Sequence, residues 1–433
     1  MTFKMWNLLC VLFGVFLTVL GKGLKEEFTW TRLSYVWPVK TRGNFYQNSD
    51  FLFPGDISKG SNEEEIPASL NYQYENNIPM GANVWKDRLF ITVPRRRLGV
   101  PSTLNYVSLN SKNKHNVPLT PYPDWKTNLY PAENYDNNFV SVYRVAVDPC
   151  DRLWFVDTGL IELPGNATRI KPMTLYVINL INDEIIHRHV FPESSIAAAT
   201  NLASVTVDVT KEQCHDAYAY MPDLAGYGLT VFSLRKNKSW RVNHNYFFLE
   251  PLAGEFFISG HRFQWNDGVF SVELTELKNG YRDMYFHSMA GHNMYKVSTR
   301  FLRNEALATR SYKENDFKLV GNRGENSQTS SADIHMDSGI MFLGLVNQNA
   351  LACWNTATSL HDISLVQKDD RKMIYPCDVK VYKDKVYMLT NTMPEFLYGQ
   401  LDYNEVNFRI WSNYVDEAVK GTKCNPQGGR GRY

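Results

Sequence analysis

The chain has almost no net charge: 46 Lys and Arg stand against 45 Asp and Glu, a formal +1 over 433 residues. That removes the electrostatic case for nucleic acid or an anionic membrane as partner. It also lacks paired Cys-x-x-Cys or clustered His and Cys at zinc spacing, which leaves no structural zinc site to read. There is no Gly-x-Ser-x-Gly elbow, and the ten histidines stand in no fixed relation to a serine or cysteine, so no hydrolase triad is legible. Long amphipathic helical patterns are missing too, and after residue 20 no apolar run approaches membrane length.

What is present begins with "MTFKMWNLLCVLFGVFLTVLGKG". Lys4 supplies a positive n-region, residues 6–20 are nearly all apolar, and Gly21 and Gly23 are small residues for cleavage. Residues 1–23 read as a secretory signal peptide and the protein as secreted; the alternative, an uncleaved anchor, is short for a span of about 20 residues. Secretion gives meaning to two sequons, Asn166-Ala-Thr and Asn237-Lys-Ser, as glycosylation sites. It also favours disulfides. With Cys10 in the leader, five cysteines remain, an odd number: Cys150, Cys214, Cys353, Cys377 and Cys424.

Hydrophobic residues make up 44% of the chain, charged residues 21% and aromatics 14%, a composition able to bury a large, strand-rich core. An alternating apolar strand, a short polar turn and a second strand recur. The pair reads "GANVWKDRLFITVPR" from Gly81 and "YRVAVDPCDRLWFVDTG" from Tyr143. It returns from Ala203, Gly268, Ser331 and Asp378. The copies start roughly 50–65 residues apart, and most are followed by a third strand, as four-stranded propeller blades require. Six copies imply an all-β, six-bladed β-propeller with antiparallel blades over residues 24–424. Residues 425–433 form a flexible tail. The early strand in "FTWTRLSYVW" is expected to complete the blade begun at Asp378. Two packed β-sandwiches are the alternative and explain the spacing less well. Residues 41–75 read as a polar surface loop. "PRRR" (94–97) reads as a solvated turn or as the wall of an anionic ligand site.

In a propeller, first strands start and second strands end at the same face. That rule gathers Asn138, Asn201, Asn266, Asp267, Gln328 and Thr329 with Arg95, Asp157, Asp223, Asn347 and Asn391. The set is polar and mildly acidic, suited to a small polar or cationic ligand between aromatic walls; strand-end turn chemistry is the plainer account of each residue. Asp151 and Asp157 of "CDRLWFVDTG" fall at opposite ends of one strand, roughly 20 Å apart at 3.3 Å per residue, and cannot form a catalytic pair. His287 and His292 are the best-placed histidines for acid–base work. Calcium held by Asn201, Asp223 and Asp267 is a minority reading, and the site set carries no metal.

The motifs "RLFITVPRRRLGVPSTLNYV", "PYPDW", "CDRLWFVDTG", "DAYAYMPDLAGYGLTVFSLRKNKSWR", "NQNALACWN" and "NFRIW" resemble, in order, the insect yellow and major royal jelly protein family. The stretch "NHNYFFLEPLAGEFFISGHRFQWNDGVFSVEL" is nearer the yellow branch. The resemblance covers about residues 28–424 and implies a six-bladed propeller. It implies the disulfides Cys150–Cys214 and Cys353–Cys424, with Cys377 a buried free thiol. Two further cysteines common in the family are both absent here, from "NYDNNF" and "IKPMTL". For function it implies dopachrome conversion in melanin formation, by tautomerisation or decarboxylation and without a redox cofactor, or non-catalytic binding of a biogenic amine. A structural or nutritive role in cuticle, eggshell or food is the third. The expectation is a secreted monomer of pigmentation or cuticle binding an aromatic amine, catechol or indole. By analogy with the amine binders Thr329 and Asn347 lead the ligand contacts, with Asp157, Asp223 and Asn201 next.

Overall fold

The computed structural model describes residues 23–37, 71–132, 135–165, 167–313 and 315–425. The signal-peptide segment up to residue 22, most of the 41–75 loop, Asn166 and the tail beyond residue 425 lie outside the described residues. Six four-stranded antiparallel sheets form the body. Blade 1 holds Gly81–Trp85, Arg88–Thr92, Leu104–Ser108 and Thr120–Pro121. Blade 2 holds Val142–Asp148, Arg152–Asp157, Thr174–Asn179 and Glu184–Val190. Blade 3 holds Thr206–Asp208, Tyr218–Asp223, Gly228–Ser233 and Lys238–Val242. Blade 4 holds Val269–Leu274, Asp283–Ser288, Asn293–Ser298 and Phe317–Asn322. Blade 5 holds Thr329–His335, Ile340–Leu345, Ala350–Asn355 and Ser364–Lys368. Blade 6 holds Pro376–Tyr382, Lys385–Thr390 and Phe408–Tyr414, and its outer strand is Lys25–Trp30 from the start of the fold. Phe28 pairs with Ile410 and Trp30 with Phe408, closing the ring as the sequence implies.

Burial follows position within the blade. Second strands lie between neighbouring blades, so all six residues of Arg152–Asp157, Tyr218–Asp223 and Ile340–Leu345 are buried. The outer strand Glu184–Val190, "EIIHRHV", alternates exposed and half-buried residues, as an edge strand should. The first strands touch in a ring around the axis. Gly81 permits the close approach of blades 1 and 2: a Cβ there would meet the Tyr143 carbonyl at 2.5 Å.

One side chain crosses the axis. Arg144 of blade 2 is 4% exposed. It donates to the carbonyls of Phe270 (3.4 Å) in blade 4, Ser330 (3.1 Å) in blade 5 and Cys377 in blade 6. Its Nε lies 3.7 Å from Asp378, which also accepts from Ala82 N–H of blade 1 and Ser331 Oγ of blade 5. The axis is therefore a tie between blades rather than an empty pore.

Cys150–Cys214 joins blade 2 to the turn between the first and second strands of blade 3, and Cys353–Cys424 pins the C-terminal segment to blade 5. Cys377 is free and buried. Burial, then the neighbouring Asp378, pushes its thiol well above the usual range, so it lacks thiolate character. Native protein incubated with iodoacetamide should keep Cys377 unmodified and yield it only after unfolding. Peptide mass mapping that finds Cys377 labelled within minutes in the native state would contradict this.

Candidate functional site

The face where second strands end is the mouth of the channel, and it is covered. Between blades 3 and 4 the chain makes a two-stranded hairpin, Glu255–Ile258 paired with His261–Gln264. The hairpin packs on Val346–Gln348 after the second strand of blade 5, and on the helix Met393–Tyr398 of blade 6. Alternation directs Phe256 and Ile258 inward, 1% exposed each, while Phe257 faces out at 58%. Polar bonds latch it: His261 Nε2 to Glu395 at 2.7 Å, and Trp265 Nε1 to the Tyr398 hydroxyl at 2.7 Å.

Asn347 accepts from Phe257 N–H and donates to the Glu255 carbonyl, both at 3.2 Å. Gln328 Nε2 donates to the Ala253 carbonyl at 3.0 Å. Asn347, expected at a ligand, thus meets the hairpin backbone. Thr329 is fully buried, accepting from Arg323 and donating to the Ser327 carbonyl at 2.8 Å.

Asp157 and Asp223 play one role in successive blades. Asp157 accepts from Val140 and Ser141 N–H (2.8 Å each) and pairs with Lys171 at 2.7 Å. Asp223 accepts from Asn201 N–H (2.9 Å) and Thr200 Oγ (2.6 Å) and pairs with Arg241 at 2.6 Å. Both carboxylates are 0% exposed. Each ties the end of a second strand to the segment before its first strand, the turn chemistry that strand ends favour. Asn201 stays at the mouth, with a buried Oδ1 that has no partner. His287 is fully buried. Burial, then Arg323, pulls it well below the usual imidazole range, so it stays neutral and is a weak base. Asn237 sits exposed in a tight turn at φ 45°.

Beneath the hairpin, different residues converge. Asp267, partly buried at the start of the first strand of blade 4, is pushed up to about 6 by burial, against the pull of Arg96. Tyr375 is 3% exposed, and burial raises its phenol with Asp267 and Arg96 among its charged neighbours. Tyr143 is 5% exposed and raised by burial beside Arg96. Both phenols remain protonated donors at neutral pH. Trp265 meets Tyr375 edge-on at 5.9 Å, and Phe263 lies 4.5 Å from Trp265. Phe270 and Arg144 (5.4 Å from the Phe270 ring) lie below. The result is an aromatic cluster around a carboxyl held at about 6, a guanidinium and two phenols.

Sequence reasoning named Asp267 by its strand position. It offered Arg96 only within "PRRR", as a solvated turn or the wall of an anionic site, and it missed Tyr143 and Tyr375, because nothing local marks a strand tyrosine as converging there. The hairpin was legible only as "EFFISGHRFQ", with Ser259 and Gly260 at positive φ in its turn.

Other concavities lie elsewhere. Clefts of about 470 and 730 Å³ open on the opposite face, between blades 4 and 5 and between blades 5 and 6. Beside the second, and among the described residues, His335, Asp337 and Asp384 bring possible ligand atoms within 4.8 Å of one another; both aspartates are exposed.

Comparison with known proteins follows the same line. The family profile described as "Major royal jelly protein" matches residues 140–424. The chain is 37% identical over 427 residues to "L-dopachrome tautomerase yellow-f" of Drosophila melanogaster, covering 96% of this chain and 98% of that one. It is 37% identical over 408 residues to "Protein yellow" of the same species, covering 93% and 71%. Among solved structures, a virginiamycin B lyase from Staphylococcus aureus aligns over 79% of this chain and 96% of its own. Its TM-score is 0.41 at 10% identity, a likeness without functional weight.

Proposed function

Because the chain belongs to the major royal jelly protein family, nearest its yellow branch, we propose that it is a secreted pigmentation protein that isomerises a dopachrome-like indole quinone at the channel mouth. The observation that carries this reading is Asp267, a carboxyl held at about 6 within the aromatic cluster. A general base works best when its pKa lies near the operating pH. In the reaction, the Asp267 carboxylate takes a proton from a saturated carbon of the five-membered ring. The C–H electron pair enters the conjugated system and one quinone oxygen is protonated, giving a quinone methide; loss of the second ring C–H proton and protonation of the other quinone oxygen complete the dihydroxyindole. Atoms and electrons balance without an oxidant or a metal. Tyr375 and Tyr143, kept protonated by burial, are suited to donate hydrogen bonds to the developing oxyanion. The rings of Trp265 and Phe270 supply stacking walls, and the hairpin excludes water.

An amine carrier is the second reading, favoured by the same carboxylate among aromatic rings. Arg96 weighs against it, since a guanidinium in the wall repels an ammonium ligand. The deciding experiment follows dopachrome decay by its absorbance with purified protein and a heat-killed control, alongside calorimetric titration with dopamine and serotonin. Accelerated decay without heat of amine binding is the expected result. Amine binding without turnover would replace this reading with the carrier.

A further inference from the structure

The three consecutive arginines of "PRRR" have separate fates. Arg95, 1% exposed, donates to the carbonyls of Val100, Phe139, Val140, Pro101 and Asn128 at 2.5–3.0 Å. It is a structural clamp. Arg97 donates to the Phe396 carbonyl at 2.8 Å and lies 4.1 Å over the Phe396 ring, bracing the helix on which the hairpin rests. Arg96 lies between them in the turn. It stands beside Tyr143, Asp267 and Tyr375, and its buried Nε has no hydrogen-bond partner. A buried guanidinium N–H without an acceptor is an unmet demand.

We infer that Arg96 is the carboxylate-binding residue of the cluster, so that the protein selects indole- and indoline-2-carboxylates over their decarboxylated analogues. The inference rests on the reading of the mouth as an indole-quinone site, and it names the substrate class of that site. A guanidinium presents a planar fork that matches a carboxylate in two parallel hydrogen bonds, and it keeps its charge at any working pH. With the ligand carboxylate on Arg96, Asp267 is left to face the ring rather than to neutralise its neighbour. The like charge of a bound carboxylate also favours the protonated form of Asp267, in the direction that strengthens it as a base. A site built to hydrogen-bond a polar group rejects the analogue lacking it far more strongly than an apolar pocket rejects a missing methylene.

The test uses the full mature chain, its Arg96→Met and Arg96→Lys variants, and two non-reacting probes, indole-2-carboxylate and indole, titrated by tryptophan fluorescence at pH 7. The parent should bind the carboxylate at least roughly 30-fold more tightly than indole. Arg96→Met should reduce that ratio to within about three-fold, and Arg96→Lys should keep an intermediate value. Thermal melts identify a variant that has lost its fold, in which case Arg96→Lys carries the comparison. A parent that binds both probes equally, or neither, overturns the inference, as does a ratio that survives in a folded Arg96→Met protein. If the preference depends on Arg96 while dopachrome is not consumed, the anchor stands and the catalytic reading fails.

Discussion

Asp267→Asn should reduce dopachrome turnover by roughly 10²–10⁴-fold, the range a positioned general base supplies, without harming the fold. Asparagine keeps the shape and removes the proton acceptor. The pH dependence gives the sign. Asp267 works ionised and is held at about 6, so kcat/KM of the parent should rise with pH through about 6 and level off above it. The variant should lose that inflection. Stability should move the other way. A carboxyl whose pKa is raised from 3.8 to about 6 on folding binds its proton more tightly in the folded state. Its contribution is therefore complete below about 4 and lost as pH rises through about 6. At pH 7 the parent folds with a charged, desolvated carboxylate. The neutral variant should then be as stable or more stable, by about 1–3 kcal/mol at most. At pH 4 the difference should vanish. The neighbours that set this balance are the charged Arg96 and the neutral phenols of Tyr375 and Tyr227. Rate profiles and thermal melts at pH 4, 5.5 and 7 provide the check. An Asp267→Asn protein that turns over substrate within about three-fold of the parent would remove Asp267 from catalysis.

Arg144→Met should be the most damaging substitution for stability. It strips the donors from carbonyls in blades 4, 5 and 6 and removes a cation from beside the buried Asp378. Removing one partner of a buried charge network costs about 3–5 kcal/mol, and at 2–4 °C per kcal/mol for a large domain the melting temperature should fall by about 10 °C. Lysine should not rescue it, because a single ammonium cannot replace the fork that reaches three blades. The control is Lys238→Met, whose 2.7 Å pair with Glu305 lies at the surface, with side chains 56% and 36% exposed; such pairs contribute about 1 kcal/mol or less. Equal melts for the two variants would show that the axial tie is dispensable.

The fold was legible because propeller blades repeat. The same strand–turn–strand pattern, read six times from Gly81 to Asp378, set the blade number and left "FTWTRLSYVW" as the closing strand. Strand polarity placed Asp157, Asp223, Asn201, Thr329 and Asn347 at one face. Which of them meets solvent was not legible. Only the bonds from Gly159 N–H to Asp157 and from Gly226 N–H to Asp223 are local; the N–H groups of the strand starts lie 16 to 22 residues away and the cations Lys171 and Arg241 are brought in from further along each blade, a geometry no local pattern encodes. The cluster draws Arg96 from a turn of blade 1, Tyr143 from blade 2, Asp267 from blade 4 and Tyr375 from blade 6. Residues from four blades meet only once the ring has closed. The hairpin that roofs them is an insertion between repeats, so the periodicity that revealed the blades passed over it.

The crossing of the axis by Arg144 bears on traffic as well as on cohesion. A propeller is commonly drawn as a tube open at both ends. Here a guanidinium bound to three opposing blades forms the floor directly beneath the cluster, so a molecule arriving at Asp267 has no onward route. It must leave past the same hairpin that admitted it, against the same His261–Glu395 and Trp265–Tyr398 contacts. Arrival and departure are then one event run in two directions. The molecule is closed like a cup beneath the hairpin rather than open as a tube.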